Sequence, residues 1–174
     1  MRSKVSKYMS YVLRHKPEDA GLTLDEHGWV STDALLAAVQ KNHGDVVMTD
    51  IHNIVQHSEK KRFQIAGSMI RASQGHSVPI DLNLEPSIPP MVLYHGTKRE
   101  FMPWIMKQGL SKGARHHVHL SATIDTAKIV ADRRAGESVI LAIDTAVMEQ
   151  EFFLTINGVW LTEHVAPRFL TEHS

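Results

Sequence analysis

Four short stretches of this chain place arginine or histidine where an anion could be met. Near the N-terminus, LRHKP sets Arg14 beside His15. Further on, SMIRASQGHS runs from apolar Met69-Ile70 into Arg71 and then into small and polar residues. The planar fork of Arg71 suits a phosphate. Gln74, His76, Ser77 and the backbone amides near Gly75 would add donors. His15 can exchange a proton near neutral pH. LYHGT puts His95 after an apolar run and before Gly96 and Thr97, and VADRRAGES carries Arg133 and Arg134 at a helix end. Taken singly, each stretch also has a plainer reading. Cations at the end of a helix complement its dipole, a polar glycine-containing loop is a common hairpin exit, a histidine ending a strand can be structural, and paired arginines can be surface charge.

Several chemistries lack support. There is no cysteine, which excludes disulfides, thiol nucleophiles and cysteine-based zinc sites. No GxGxxG or Walker-type loop is present, and no serine nucleophile elbow. RHHVH offers His117 and His119 on one strand face, but a metal needs further ligands at defined geometry. These histidines are read as packing or bonding locally, and no metal is expected.

The elements that must position the four stretches can be read from periodicity. In SKVSKYMSYVLRH, Val5, Met9, Val12 and Leu13 recur at helical spacing, and Pro17 ends the run. GWVSTDALLAAVQ begins extended, then offers Ser31 or Thr32 as the N-cap of a helix over residues 34–40. MTDIHNIVQHSEK repeats the pattern, with Thr49 or Asp50 as cap and Ile51, Ile54 and Val55 on one face. KRFQIAGSMIRA suggests two short strands around Gly67-Ser68. Three helices followed by a hairpin is the order of a winged-helix module. The second half alternates: strand MVLYH, helix KREFMPWIMKQ with Gly109 at its C-cap, strand HVHLS, helix TIDTAKIVADRR, strand SVILAIDT, and a hairpin in FFLTINGVWLT around Asn157-Gly158.

The chain has 174 residues, 43% hydrophobic and 22% charged, as in an ordinary globular protein. Residues 79–90 hold four of the seven prolines, which places the domain boundary there. The expected organisation is a first lobe over 1–78, a linker over 79–90 and a second lobe over 91–174. Lysine plus arginine, 19, balance aspartate plus glutamate, 19. The first 78 residues carry 10 basic against 8 acidic residues and the remainder 9 against 11. That is no broad basic footprint, so nucleic acid would be held at a small, focused site. With no long apolar run and no apolar leader, the expectation is a cytoplasmic monomer with no membrane partner.

In order along the chain, LRHKP, GWV with its helix, IRASQGHS, LYHGT, HVHLSAT, the RR helix end and NGVWLT resemble the RNA 2′-phosphotransferases, NAD-dependent enzymes first known from tRNA splicing. The resemblance covers nearly the whole chain. It implies an α+β protein, with an N-terminal winged-helix RNA-binding lobe and an ADP-ribosyltransferase-like mixed α/β lobe that binds NAD as co-substrate. It further implies removal of an internal 2′-phosphate from RNA through an ADP-ribosylated RNA phosphate. The products would be 2′-OH RNA, ADP-ribose 1″,2″-cyclic phosphate and nicotinamide. The family's Arg-His-Arg-Arg set falls on Arg14, His15, Arg71 and Arg133, with Arg134 as the competitor for the last place. Gln74, His76 and Ser77 would face the RNA. His95, Gly96 and Thr97 resemble the histidine motif that binds the nicotinamide ribose, and Ser121 resembles a second NAD contact. Where many ADP-ribosyltransferases carry a late-strand glutamate, NGVWLT presents Val159 and Trp160. Two other readings stand beside this one: an ADP-ribosyltransferase acting on terminal phosphates of RNA or DNA, and a non-catalytic RNA-binding module.

Overall fold

A computed structural model describes residues 2–173. The chain divides into two compact units, Met1–Asn83 and Leu84–Ser174. The proline-rich stretch is not a free tether. Asp81 donates its N–H to the Glu26 carbonyl (2.7 Å) within the first unit, and Ser87 donates to the Phe152 carbonyl (2.7 Å) within the second.

In the first unit, helix α1 (Arg2–Arg14) buries Val5, Met9, Val12 and Leu13, the stripe expected from helical spacing. A short strand β1 (Val30–Ser31) leads into α2 (Thr32–His43) and α3 (Met48–Gln56). Strands β2 (Phe63–Ala66) and β3 (Met69–Ala72) form the expected hairpin, and β1 joins it in the order β1-β3-β2, all antiparallel. The core joins the α1 stripe to Leu35, Val39, Ile51, Phe63 and Ile70. Ser31 is the N-cap of α2 and accepts from the N–H groups of Asp33 and Ala34. The helix starts before residue 34 and runs past residue 40 to His43, where Gly44 stops it. The third helix also differs from expectation. It begins at Met48 after Val47, and Asp50 serves from the third helical position, accepting from the Val47 N–H at 3.1 Å. A carboxylate one turn in can reach back to an orphan amide as well as a residue at the cap itself.

The second unit is built on a six-stranded antiparallel sheet with the order β11-β7-β4-β6-β9-β8. Its strands are β4 (Val92–Lys98), β6 (Val118–Ser121), β7 (Ser138–Asp144), β8 (Phe153–Leu154), β9 (Val159–Thr162) and β11 (Leu170–His173). A two-stranded ribbon pairs β5 (Leu110–Ser111) with β10 (His164–Val165). Helix α4 (Met102–Gln108) follows a 3-10 turn, with Pro103 in its first turn where no N–H is needed. Helix α5 (Ile124–Ala131) ends before Arg133 and Arg134, although the sequence pattern extends it through them. Leu93, Leu120, Leu141 and Ile143 are fully enclosed at the centre of the core.

The fold departs from the sequence expectation in three further places. The strand expected to end at His95 continues to Lys98, so His95, Gly96 and Thr97 lie within β4. The ladder with β7 runs on to Lys98 opposite Ser138, and the buried Lys98 ammonium is satisfied by donating to the Gly136 carbonyl (2.8 Å) and Ser138 Oγ (2.9 Å). The β8–β9 hairpin turns through four residues, 155–158, because Thr155 accepts from the Val159 N–H through its hydroxyl and donates its own N–H to the Val159 carbonyl. Strands β5, β10 and β11 have no counterpart in the sequence expectation. No helix among the described residues is long and apolar enough to cross a membrane.

Candidate active site

In the first unit, the end of α1 and the loop after β3 form one structure. The last carbonyls of a helix lack intrahelical partners. Here the Arg14 carbonyl accepts from the N–H groups of Ser77 (2.9 Å) and Val78 (3.4 Å). The same contact brings Ser77 Oγ to 2.9 Å from His15 Nδ1. The LRHKP and IRASQGHS stretches, 62 residues apart, thus meet at one helix end. Ser73 fixes the start of the loop: its hydroxyl donates to the Lys61 carbonyl (2.6 Å) and its N–H to the Arg62 carbonyl (2.9 Å). His76 is buried. Gln74 Oε1 is buried and has no hydrogen-bond partner among the described residues.

Arg71 stands on a platform of its own. Asp25 accepts from the N–H groups of His27 (2.9 Å) and Trp29 (2.8 Å), tightening residues 25–29 into a turn. Gly28 takes a φ of +80° there, a conformation that favours glycine, and it lies against His76 and Ile80. The turn presents the His27 carbonyl to Arg71 Nη1 at 3.2 Å and the Trp29 ring beneath the guanidinium, 4.5 Å from its centroid. The Leu82 carbonyl takes Nη1 at 3.2 Å and Gln64 takes Nε at 3.1 Å. Nη2 makes no hydrogen bond among the described residues. Burial lowers the Arg71 pKa, opposed by the Asp25 carboxylate, and arginine keeps its charge regardless. The result is an oriented cation with one edge still able to donate.

In the second unit, His95 and Thr97 line a cavity of about 230 Å³ with Phe101, Trp104, Ser111 and Arg134. His95 Nδ1 lies 3.0 Å from the His119 carbonyl, which can only accept, so Nδ1 carries the hydrogen. Burial pushes the His95 pKa down. Burial thus favours the neutral imidazole, in which Nε2 is an acceptor. Gly96, between them, faces the other way. A Cβ there would come within 1.9 Å of the Ala127 carbonyl oxygen, so the glycine is what lets α5 lie against β4.

A model of the family described as "RNA 2'-phosphotransferase, Tpt1 / KptA family" matches residues 1–164. The chain belongs to this family. It is an enzyme, and the activity that goes with membership takes a 2′-phosphate from RNA. It is similar to the protein named "Probable RNA 2'-phosphotransferase" in Rhizobium leguminosarum bv. trifolii, with 53% identity over 98% of this chain and 94% of the relative. Proteins of the same name in Nostoc punctiforme (46% identity, 97% of this chain, 96% of the relative) and Streptomyces coelicolor (46%, 96% and 93%) are also similar.

Within the RNA 2′-phosphotransferase frame, the first unit unites Arg14, His15 and Ser77, and sets His76 against the turn that holds Arg71. The second unit unites His95, Thr97 and Arg134; Arg133 and Ser121 are not among the cavity's lining residues. Ser121 pairs with Tyr94 across β4 and β6, so it shares a sheet face with Tyr94 and not with His95. His117 packs edge-on to Phe153, with ring centroids 5.7 Å apart, and His119 Nδ1 lies 3.3 Å from Arg115 Nη1. Sequence reasoning missed Trp29, Gln64 and Arg115. The turn signal DEHGW points toward Trp29. Arg115 lies in RHHVH, where the histidines are the more obvious ligands. Burial first, and then the charges of Arg133 and Arg134, lower the Arg115 pKa. Like charges so grouped favour an anionic ligand.

Proposed function

We propose that this enzyme transfers an internal RNA 2′-phosphate to NAD, with a winged-helix first unit taking the RNA and an ADP-ribosyltransferase-like second unit taking NAD. The observation that carries this reading is the seating of the loop after β3 on the end of α1. It groups a phosphate-binding arginine with a titratable histidine held by a hydroxyl. The fit to NAD rests on the His95 cavity. An acceptor imidazole nitrogen suits a ribose hydroxyl, Trp104 and Phe101 offer ring faces to a nicotinamide, and Arg134 offers charge to a phosphate.

NAD supplies the electrophilic ribose carbon that takes the phosphate as nicotinamide leaves, giving an ADP-ribosylated RNA phosphate, and then the O2″ that displaces the RNA. The chain's part is largely positioning, because the attacking phosphate already carries its charge. Arg14 and Arg71 orient the phosphoryl oxygens and, in the second displacement, stabilise the charge that builds on them. His15, steadied by Ser77, is the proton-transfer group of that displacement, in which O2″ loses a proton as it attacks and the departing RNA O2′ gains one. Gln74 Oε1 is an acceptor for a nucleotide hydroxyl or amino group. His95 and Thr97 hold the nicotinamide ribose. For the fourth arginine, the cavity lining supports Arg134 over Arg133, and Arg115 joins it in binding diphosphate.

The test is incubation of the full chain with a short RNA bearing one radiolabelled internal 2′-phosphate, with and without NAD. NAD-dependent passage of label into ADP-ribose cyclic phosphate is the expected result. Label retained on RNA enlarged by ADP-ribose, or no change, would overturn the reading. On purified ADP-ribosylated RNA, His15→Ala should slow single-turnover release; an unchanged rate would remove His15 from its role.

A further inference from the structure

We propose that a groove between α1 and α3 binds the phosphodiester backbone of the substrate RNA beyond the reacting nucleotide. This inference rests on the RNA reading above. The groove has a volume of about 510 Å³ and is lined by Ser3, Ser6, Lys7 and Ser10 of α1, by Asn53, Ile54 and His57 at the end of α3, and by Ser58 and Arg62.

The lining has the residue types that contact nucleic-acid backbones: basic side chains, hydroxyls and an amide. No acidic residue is among the described residues that line it. Helix α1 has no acidic residue along its length. The one carboxylate of α3, Asp50, is turned to its own N-terminus, where it accepts from the Val47 N–H. In sequence, the segment that supplies Ser58 and Arg62 also carries Lys60 and Lys61 against Glu59. Net charge is balanced over the whole chain, yet this face is locally cationic. No Phe, Tyr or Trp is among the described residues that line it, and His57 is its one ring, so it would read backbone more than base.

The groove also points at the candidate active site. At about 100° per residue, Ser3, Lys7, Ser10 and Arg14 fall within a sector of α1 roughly 60° wide. The hydroxyl-and-lysine stripe therefore runs straight into the arginine that ends the helix. From Ser3 to Arg14 the rise is roughly 16 Å at 1.5 Å per residue, enough to follow more than one phosphodiester. Serine is a weaker helix former than alanine, and a polar ligand accounts for three of them on one face of a 13-residue helix.

The test compares the full chain with Lys7→Glu/Arg62→Glu, and with Lys7→Gln/Arg62→Gln should charge reversal impair folding. Fluorescence anisotropy with a single-stranded RNA lacking any 2′-phosphate reads the groove directly. Affinity should fall about tenfold or more, and the slope of log affinity against log salt should flatten by about 0.7 for each phosphate that the variant no longer neutralises. In turnover, KM for a longer 2′-phosphorylated RNA should rise by a similar factor, with KM for a trinucleotide, kcat and KM for NAD unchanged. Unaltered RNA affinity, or equal losses on trinucleotide and longer RNA, would overturn the inference. A wild-type chain that leaves 2′-phosphate in place would defeat the proposed reaction instead, and the anisotropy would still decide the groove.

Discussion

Replacing Gly96 by alanine separates two accounts of the HGT motif. If Gly96 serves the ligand, the substitution should weaken NAD binding in a protein of normal stability. The packing on β4 argues otherwise. The added Cβ would sit 1.9 Å from the Ala127 carbonyl oxygen, 2.9 Å from the Ala127 carbonyl carbon and 3.0 Å from the Ala131 Cβ. A comfortable carbon–oxygen contact is about 3.3 Å, so the shortfall is about 1.4 Å. The obstructing atoms are mainly helix backbone, which cannot rotate away. Helix α5 must therefore lift from the sheet, loosening Ala127 and Ala131, both buried. Overpacking a core costs about 1–3 kcal/mol, and a backbone clash belongs at the upper end. For a chain of this size each kcal/mol moves Tm by roughly 2–4 °C, so Gly96→Ala should lower Tm by about 6 °C or more. Scanning calorimetry measures this, with NAD titrated at a temperature where both proteins are folded. A Tm within about 2 °C of wild type would refute the packing argument, and a selective loss of NAD affinity would return Gly96 to the ligand.

Arg71→Ala should reduce turnover about 10²–10³-fold, as expected for losing an oriented charge donor, while calorimetric titration finds NAD affinity unchanged; a large loss of NAD affinity would move Arg71 to the co-substrate. Alanine at Arg134 should impair NAD binding more than alanine at Arg133, and the reverse order would restore Arg133 as the fourth arginine. Burial holds the His95 pKa below its ordinary value of 6.5, so below that pH the unfolded chain takes up a proton that the folded state resists. Stability should therefore fall as pH drops through 6.5, and less steeply in His95→Gln; identical slopes in denaturant unfolding would show that His95 is not held neutral.

Much of this protein is legible in its residues because the signals are local. The stripe of Val5, Met9, Val12 and Leu13 dictates which face of α1 is buried, whatever the rest of the chain does. The hairpin of β2 and β3 follows from alternation around a glycine, and the motifs in order along the chain point to the family to which it belongs. Strands of two residues, such as β5 and β10, are too short for any periodicity, and their pairing exists only because the fold brings Leu110 to Val165. The site shows the same division. Arginine and histidine are visible as phosphate-handling types, but their partners are not. The Ser77 hydroxyl on His15, the Trp29 face under Arg71 and the Arg134 side of the His95 cavity join residues dozens of positions apart. Sequence determines which groups are available. Only tertiary packing decides which of them lose water together and so act on one another.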